Sequence, residues 1–122
     1  MAKWQNDSML DAALNYIKNG ATLETVCTQQ PTTRTEAAAT YSLGSVVVSS
    51  ANFTLANGDT SGRKCTVAVQ NSVPVTATGT ANYVALMDSS NLMYVTTTTA
   101  KSLTSGDTMN IPAWDIEIAD AS

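Results

Sequence analysis

The spacing of apolar residues along the chain changes once, at Gly20. Before it, Leu10, Ala13, Leu14 and Ile17 recur at i, i+3, i+4 and i+7, the period of one helix face. Asn6, Asp7 and Ser8 can each cap such a helix, and Ser8 with Asp11 has the spacing of a capping box. Lys18 suits the negative end of the helix dipole, and Gly20 suits a left-handed stop. The pattern predicts a helix over 8–19, packed on its own domain in preference to a neighbouring subunit.

After Gly20 the period is two. In 22–28, Leu23, Thr25 and Cys27 fall on one side of a strand and Glu24, Val26 and Thr28 on the other. Pro31 ends that strand because it has no N–H to donate. The stretch 29–43 then reads as a long connection, with one helical turn in "TEAAATY" capped by Thr35. Connections of this length inside a domain are commonly functional, so 29–43 is a candidate contact arm. Strands follow at 45–50, 52–56 and 63–70, with a turn cluster "NGDTSG" at 57–62. Pro74 makes 72–79 an edge or the start of a strand. The last strand, 110–120, turns Trp114, Ile116 and Ile118 one way and Asp115 and Glu117 the other.

The segment "ANYVALMDSSNLMYVTTTTA" (81–100) is a hairpin closing on Ser89-Ser90. Pairing Asp88 with Asn91 sets Leu86 against Met93 and Val84 against Val95 on one apolar face. The other face then holds Met87 with Leu92, Ala85 with Tyr94, and Tyr83 with Thr96. Short strands separated by turn signals predict a mainly β protein: a single β-sandwich or barrel-like domain of about seven strands with one N-terminal α-helix. Residues 1–20 form an arm and helix, and 21–122 the β-sandwich, as one unit.

Composition narrows what such a domain does. The 122 residues are 43% hydrophobic and only 13% charged, so Ser, Thr and Asn supply most of the polar surface. Neutral hydroxyls and amides are cheaper to bury at an interface than charges, so this composition favours a partner-covered surface. A net charge of −4, with basic residues scattered apart from Arg63-Lys64, argues against nucleic acid. No apolar run approaches the roughly 20 residues of a membrane span. The first residues, "MAKWQNDSML", lack the apolar core of a signal peptide, and the expected site of synthesis is a cytoplasm. Cys27 and Cys65 have no metal-binding spacing and read as free core thiols, with a disulfide between them as the lesser reading.

Candidate chemistry is sparse. The chain contains no histidine, so the usual serine and cysteine triads are excluded. A carboxylate pair could serve a hydrolase, yet most of the ten acids sit at the helix start, in turns or on the wet face of the last strand, as caps, turn formers or solubilising charges. Asn57, Asp59 and Ser61 alternate as calcium ligands would, but without the acidic run of a strong loop, and a turn explains them better. "NDS" and "NFT" match the glycosylation acceptor pattern by chance alone, given no secretory signal. No cofactor is expected.

Taken together, "DAALNYIKNGAT", "CTQQPTTRTEA", "FTLANGDTSGRKCTVAV", "GTANYVALMDSSNLMYVTT" and "SLTSGDTMNIPAWDIEIAD" resemble a group of small virion proteins of tailed bacteriophages, over about residues 8–120. The resemblance implies a non-enzymatic structural protein. Its leading role is a capsid cement or decoration protein that binds the major capsid protein and copies of itself on the capsid surface, assembled in the bacterial host cytoplasm. The alternative is a receptor- or glycan-binding β-module of a tail or head fibre, with Tyr83 and Tyr94 as a platform. Contact candidates are Trp4, Pro31, Arg34, Tyr41, Asn57, Asp59, Tyr83 and Tyr94; for Trp114, core packing is the leading role.

Overall fold

Two sheets face each other across a largely apolar interior that contains one buried carboxyl group, Glu24. The structure, a computed structural model, describes residues 7–58 and 62–118. It contains one helix, α1 (Asp7–Gly20), and the strands β1 (Leu23–Cys27), β2 (Ser42–Val47), β3 (Phe53–Asn57), β4 (Arg63–Val67), β5 (Gln70–Pro74), β6 (Gly79–Met87), β7 (Leu92–Leu103), β8 (Thr108–Ile111) and β9 (Trp114–Ile118). All pairings are antiparallel: β2-β1-β6-β7, β3-β4-β9, and β5-β8. The architecture is the expected mainly β, sandwich-like one, with nine strands among the described residues where about seven were expected. The run 110–120 is two strands because Pro112, with no N–H, interrupts it, and β8 and β9 then join different sheets. The run 63–70 stops at Val67, where Ala68 N–H leaves the ladder for Asn52 O at 2.8 Å.

The helix packs in cis. Leu10 and Leu14 are buried, and Leu14 shares a core cluster with Phe53, Cys65, Val67, Leu86 and Ile116. Lys18 Nζ donates to Phe53 O at 3.1 Å, and Asp11 receives Arg63 Nε at 2.8 Å. Ala13, expected on the inner stripe, is exposed. Gly20 is the last helical residue and makes no left-handed stop; among the described glycines only Gly62 and Gly106 have positive φ. What Gly20 does provide is room, since a Cβ there would stand 3.1 Å from Met93 Cε.

Met93 is also where the hairpin departs from its expected register. The turn forms as read, with Asp88 N–H donating to Asn91 O at 3.0 Å and Met87 opposite Leu92. Beyond it Met93 is an extra residue, so Leu86 pairs with Tyr94, Ala85 with Val95, Val84 with Thr96 and Tyr83 with Thr97. One bulged residue carries Tyr94 from the face of Ala85 to the face of Leu86. There it stacks on Trp114 of β9, ring centroids 5.8 Å apart, inside the sandwich. A second bulge, at Thr98–Ala100 opposite Asn82, shifts the register before pairing resumes at Ala81 with Lys101 and runs on to Gly79 with Leu103.

The expected connection 29–43 is shorter, because Ser42 and Leu43 already belong to β2, and its residues up to Tyr41 are a cover for their own domain. Cys27, Ala85 and Met87 face away from the sandwich interior and would be exposed without it; Ala37 closes over them, with Ala38 and Tyr41 packed alongside. Its turn is a single π-type turn at Glu36–Thr40, closed by Tyr41 N–H to Glu36 O at 2.8 Å. Thr35 makes no side-chain cap. The Thr33 hydroxyl oxygen accepts from Glu36 N–H at 3.2 Å, and the Glu36 carboxylate accepts from Thr32 N–H at 2.9 Å and the Thr32 hydroxyl at 2.8 Å. β1 is therefore buried on both faces, Cys27 under this cover and Glu24 and Val26 toward the facing sheet.

Candidate functional site

The described contact candidates divide into residues packed within the fold and clamps between its segments. Pro31, in the connection after β1, is fully buried. Arg34 clamps that connection to the hairpin turn, its Nε donating to Asp88 O at 2.7 Å. Tyr41 and Tyr83 pack against the cluster of Cys27, Ala37, Ala85 and Met87. Tyr94 packs on the other side of the same sheet, so Tyr83 and Tyr94 form no common platform; the Met93 bulge separates them. Asn57 Oδ1 accepts from Arg63 Nη1 at 2.7 Å, which fixes the end of the β3–β4 hairpin. Trp4 and Asp59 lie outside the described residues, and so does Ser61 of the suggested calcium loop.

Two surfaces that these residues did not mark are open. β7 pairs with β6 on one side and, among the described residues, has no strand on the other. It is twelve residues long, and its far half, Thr97–Ser102, is mostly exposed and carries one charge, Lys101. A groove of about 310 Å³ runs beside that half, floored by Val26, Ala81, Val84, Leu103, Met109 and Ile111. The second surface is the outer side of α1, where Met9 and Tyr16 are 62% and 60% exposed with Ala13 between them. The helix is thus apolar on two sides. The four threonines at 96–99 signalled an exposed strand in the sequence, but only the strand order shows that it is an edge.

Several titratable groups are engaged structurally. Asp11 holds Arg63, and Asp115 accepts from the Thr66 hydroxyl at 2.8 Å with Lys64 3.6 Å away. Asp88 accepts from Ser90 N–H, which with Asn91 N–H holds its carboxyl below the ordinary carboxylate range. Both thiols are free and fully buried, in different clusters, and burial raises each above its ordinary value. Among the described residues no group of three acids or cysteines could hold a metal, and no helix is long and apolar enough to cross a membrane. No family model matches the chain, and comparisons with curated proteins and with solved structures give no match either.

Proposed function

We propose that this chain is a non-enzymatic structural protein of a bacteriophage virion, a cement or decoration protein that ties neighbouring subunits of a capsid lattice and carries out no chemistry. The observation that carries this reading is the open edge of β7. An unpaired row of backbone N–H and C=O groups is a template for strand addition, and native edges are normally blunted by charge, proline or cover. Here twelve residues have one charge and no proline. The apolar outer side of α1 offers a second contact, and two modest contacts per copy gain strength when many copies share a lattice.

The test is rebinding. Purified protein should bind heads that lack it and raise their resistance to heat. Thr97→Lys and Thr99→Lys change exposed side chains, so together they should leave the urea midpoint unchanged and abolish rebinding. Quantitative mass spectrometry of virions should give copies comparable to the major capsid protein. A few copies per particle, or rebinding indifferent to the β7 substitutions, would refute the assignment.

A further inference from the structure

Glu24 is fully buried at the junction of the two interior clusters. Its cross-strand neighbours are Val46 on β2 and Leu86 on β6. Trp114, from β9 of the facing sheet, donates Nε1–H to Glu24 Oε2 at 3.0 Å, and Glu24 Oε1 has no hydrogen-bond partner among the described residues. Trp114 and Val46 each pack against both clusters, so this hydrogen bond lies where the two halves of the core meet. Ionised, the carboxylate would need several donors and has one; protonated, it needs fewer.

We propose that Glu24 and Trp114 form a proton-operated clasp between the two sheets. It is closed while Glu24 holds its proton. It opens on ionisation, when water reaches the carboxylate and Trp114 withdraws along the groove of about 120 Å³ that it lines with Thr96, Thr97 and Pro112. Because Trp114 also stacks on Tyr94, its withdrawal loosens β9 from the open strand β7.

The charged groups on the surrounding elements do not supply an alternative partner. Lys18 of α1 is bound to Phe53 O; Arg63 and Lys64 of β4 pair with Asp11 and Asp115. Asp115 and Glu117 alternate to the exposed face of β9. Lys101 is exposed on the far half of β7. Tyr83 of β6 and Cys27 of β1 face the outer cluster, and β2 and β8 carry no titratable side chain. Cys65 of β4 and Tyr94 of β7 pack in the same interior cluster and offer no cationic partner. Burial holds the Glu24 carboxyl above its ordinary value of 4.5, against a smaller opposing effect of the Trp114 hydrogen bond.

The sign follows from linkage. Between the ordinary value and the raised folded one, the folded chain keeps a proton that the unfolded chain has lost. Stability from this group is complete below the ordinary value, falls as pH rises to the folded value, and is level above it. Within that window the folded-to-unfolded ratio drops about tenfold per pH unit. Glu24→Gln is neutral at every pH and keeps an oxygen for Trp114. Urea unfolding of both proteins from about pH 4 to about pH 8 should show this drop in the wild type and not in the variant. In a Trp4→Phe background, Trp114 emission should shift to the red across the same window only where Glu24 is present. Parallel stability profiles, or emission that does not change with pH, would overturn the clasp. A measurement on the unmutated chain decides the matter even if the variant fails to fold. Carbon-13 NMR of the side-chain carboxyls of Glu24, Glu36 and Glu117 should show one titrating above the ordinary range, and three ordinary or lowered titrations would overturn it.

Discussion

Substituting alanine at three glycines separates three physical costs, and Gly44 should be the worst. Gly44 lies on β2 opposite Val26. A Cβ there would collide with the carbonyl oxygen of Pro74 and stand 2.8 Å from Met109 Cε. The methionine can turn away, but the carbonyl cannot. The chain just beyond it is held by Val75 N–H to Asp107 O at 2.9 Å and Thr76 N–H to Leu43 O at 2.8 Å. Forcing β2 and β5 apart is a case of overpacking, which costs about 1–3 kcal/mol. Alanine restricts the unfolded chain and returns about 0.4–1 kcal/mol. With an immobile backbone carbonyl as the obstacle the cost falls at the upper end of that range, so Gly44→Ala should lose roughly 2 kcal/mol net. At Gly79 the Cβ would meet only Leu43 Cδ2, at 3.0 Å, and that side-chain tip can move. Gly79→Ala should fall within about 0.5 kcal/mol of the wild type. At Gly106 nothing lies within 4 Å, but φ is +98°, so alanine there should cost about 1–2 kcal/mol through backbone strain alone. Equilibrium urea unfolding with unchanged m-values measures all three. Gly44→Ala as stable as Gly79→Ala would mean that the β2–β5 contact is wrongly placed.

Two further outcomes follow from the buried thiols and the paired acids. Cys27 and Cys65 should both resist an aromatic disulfide reagent in the native protein and react together once urea unfolds it; fast native-state reaction of either would contradict its burial. On the acid side, Glu36 is held below its ordinary value by Thr32 and Asp88 by the Ser90 and Asn91 N–H groups, so each contributes stability that is present above its ordinary value and lost as pH falls toward its folded one. Glu36→Gln and Asp88→Asn should flatten the acid limb of the urea midpoint below about pH 4, and an unchanged limb would refute the two assignments.

The period of apolar residues made α1 legible, and alternation made most of the strands legible, because both reflect contacts that repeat within a few residues of chain. The hairpin turn was legible for the same reason: Asp88, Ser90 and Asn91 build it by themselves. Of the contact candidates, Arg34 and Asn57 prove to be clamps, and Pro31, Tyr41, Tyr83 and Tyr94 pack within the fold. Polar and aromatic residues in connecting segments look alike in sequence whether they meet a partner or their own domain.

What the order of residues could not convey is what covers each face. Leu23, Thr25 and Cys27 alternate with Glu24 and Val26 whether β1 is half-wet or central; the facing sheet, through Trp114, makes the side of Glu24 interior, and the connection after β1 covers the side of Cys27. Likewise Met93 bulges so that Tyr94 can reach Trp114, a residue twenty positions away on another sheet. Local periodicity chose the elements, since helix and strand differ in which near neighbours share a side. The register of β7, its place at an edge, and the meeting of Glu24 with Trp114 depend on burial shared between distant strands, and that free energy exists only once the sheets have come together.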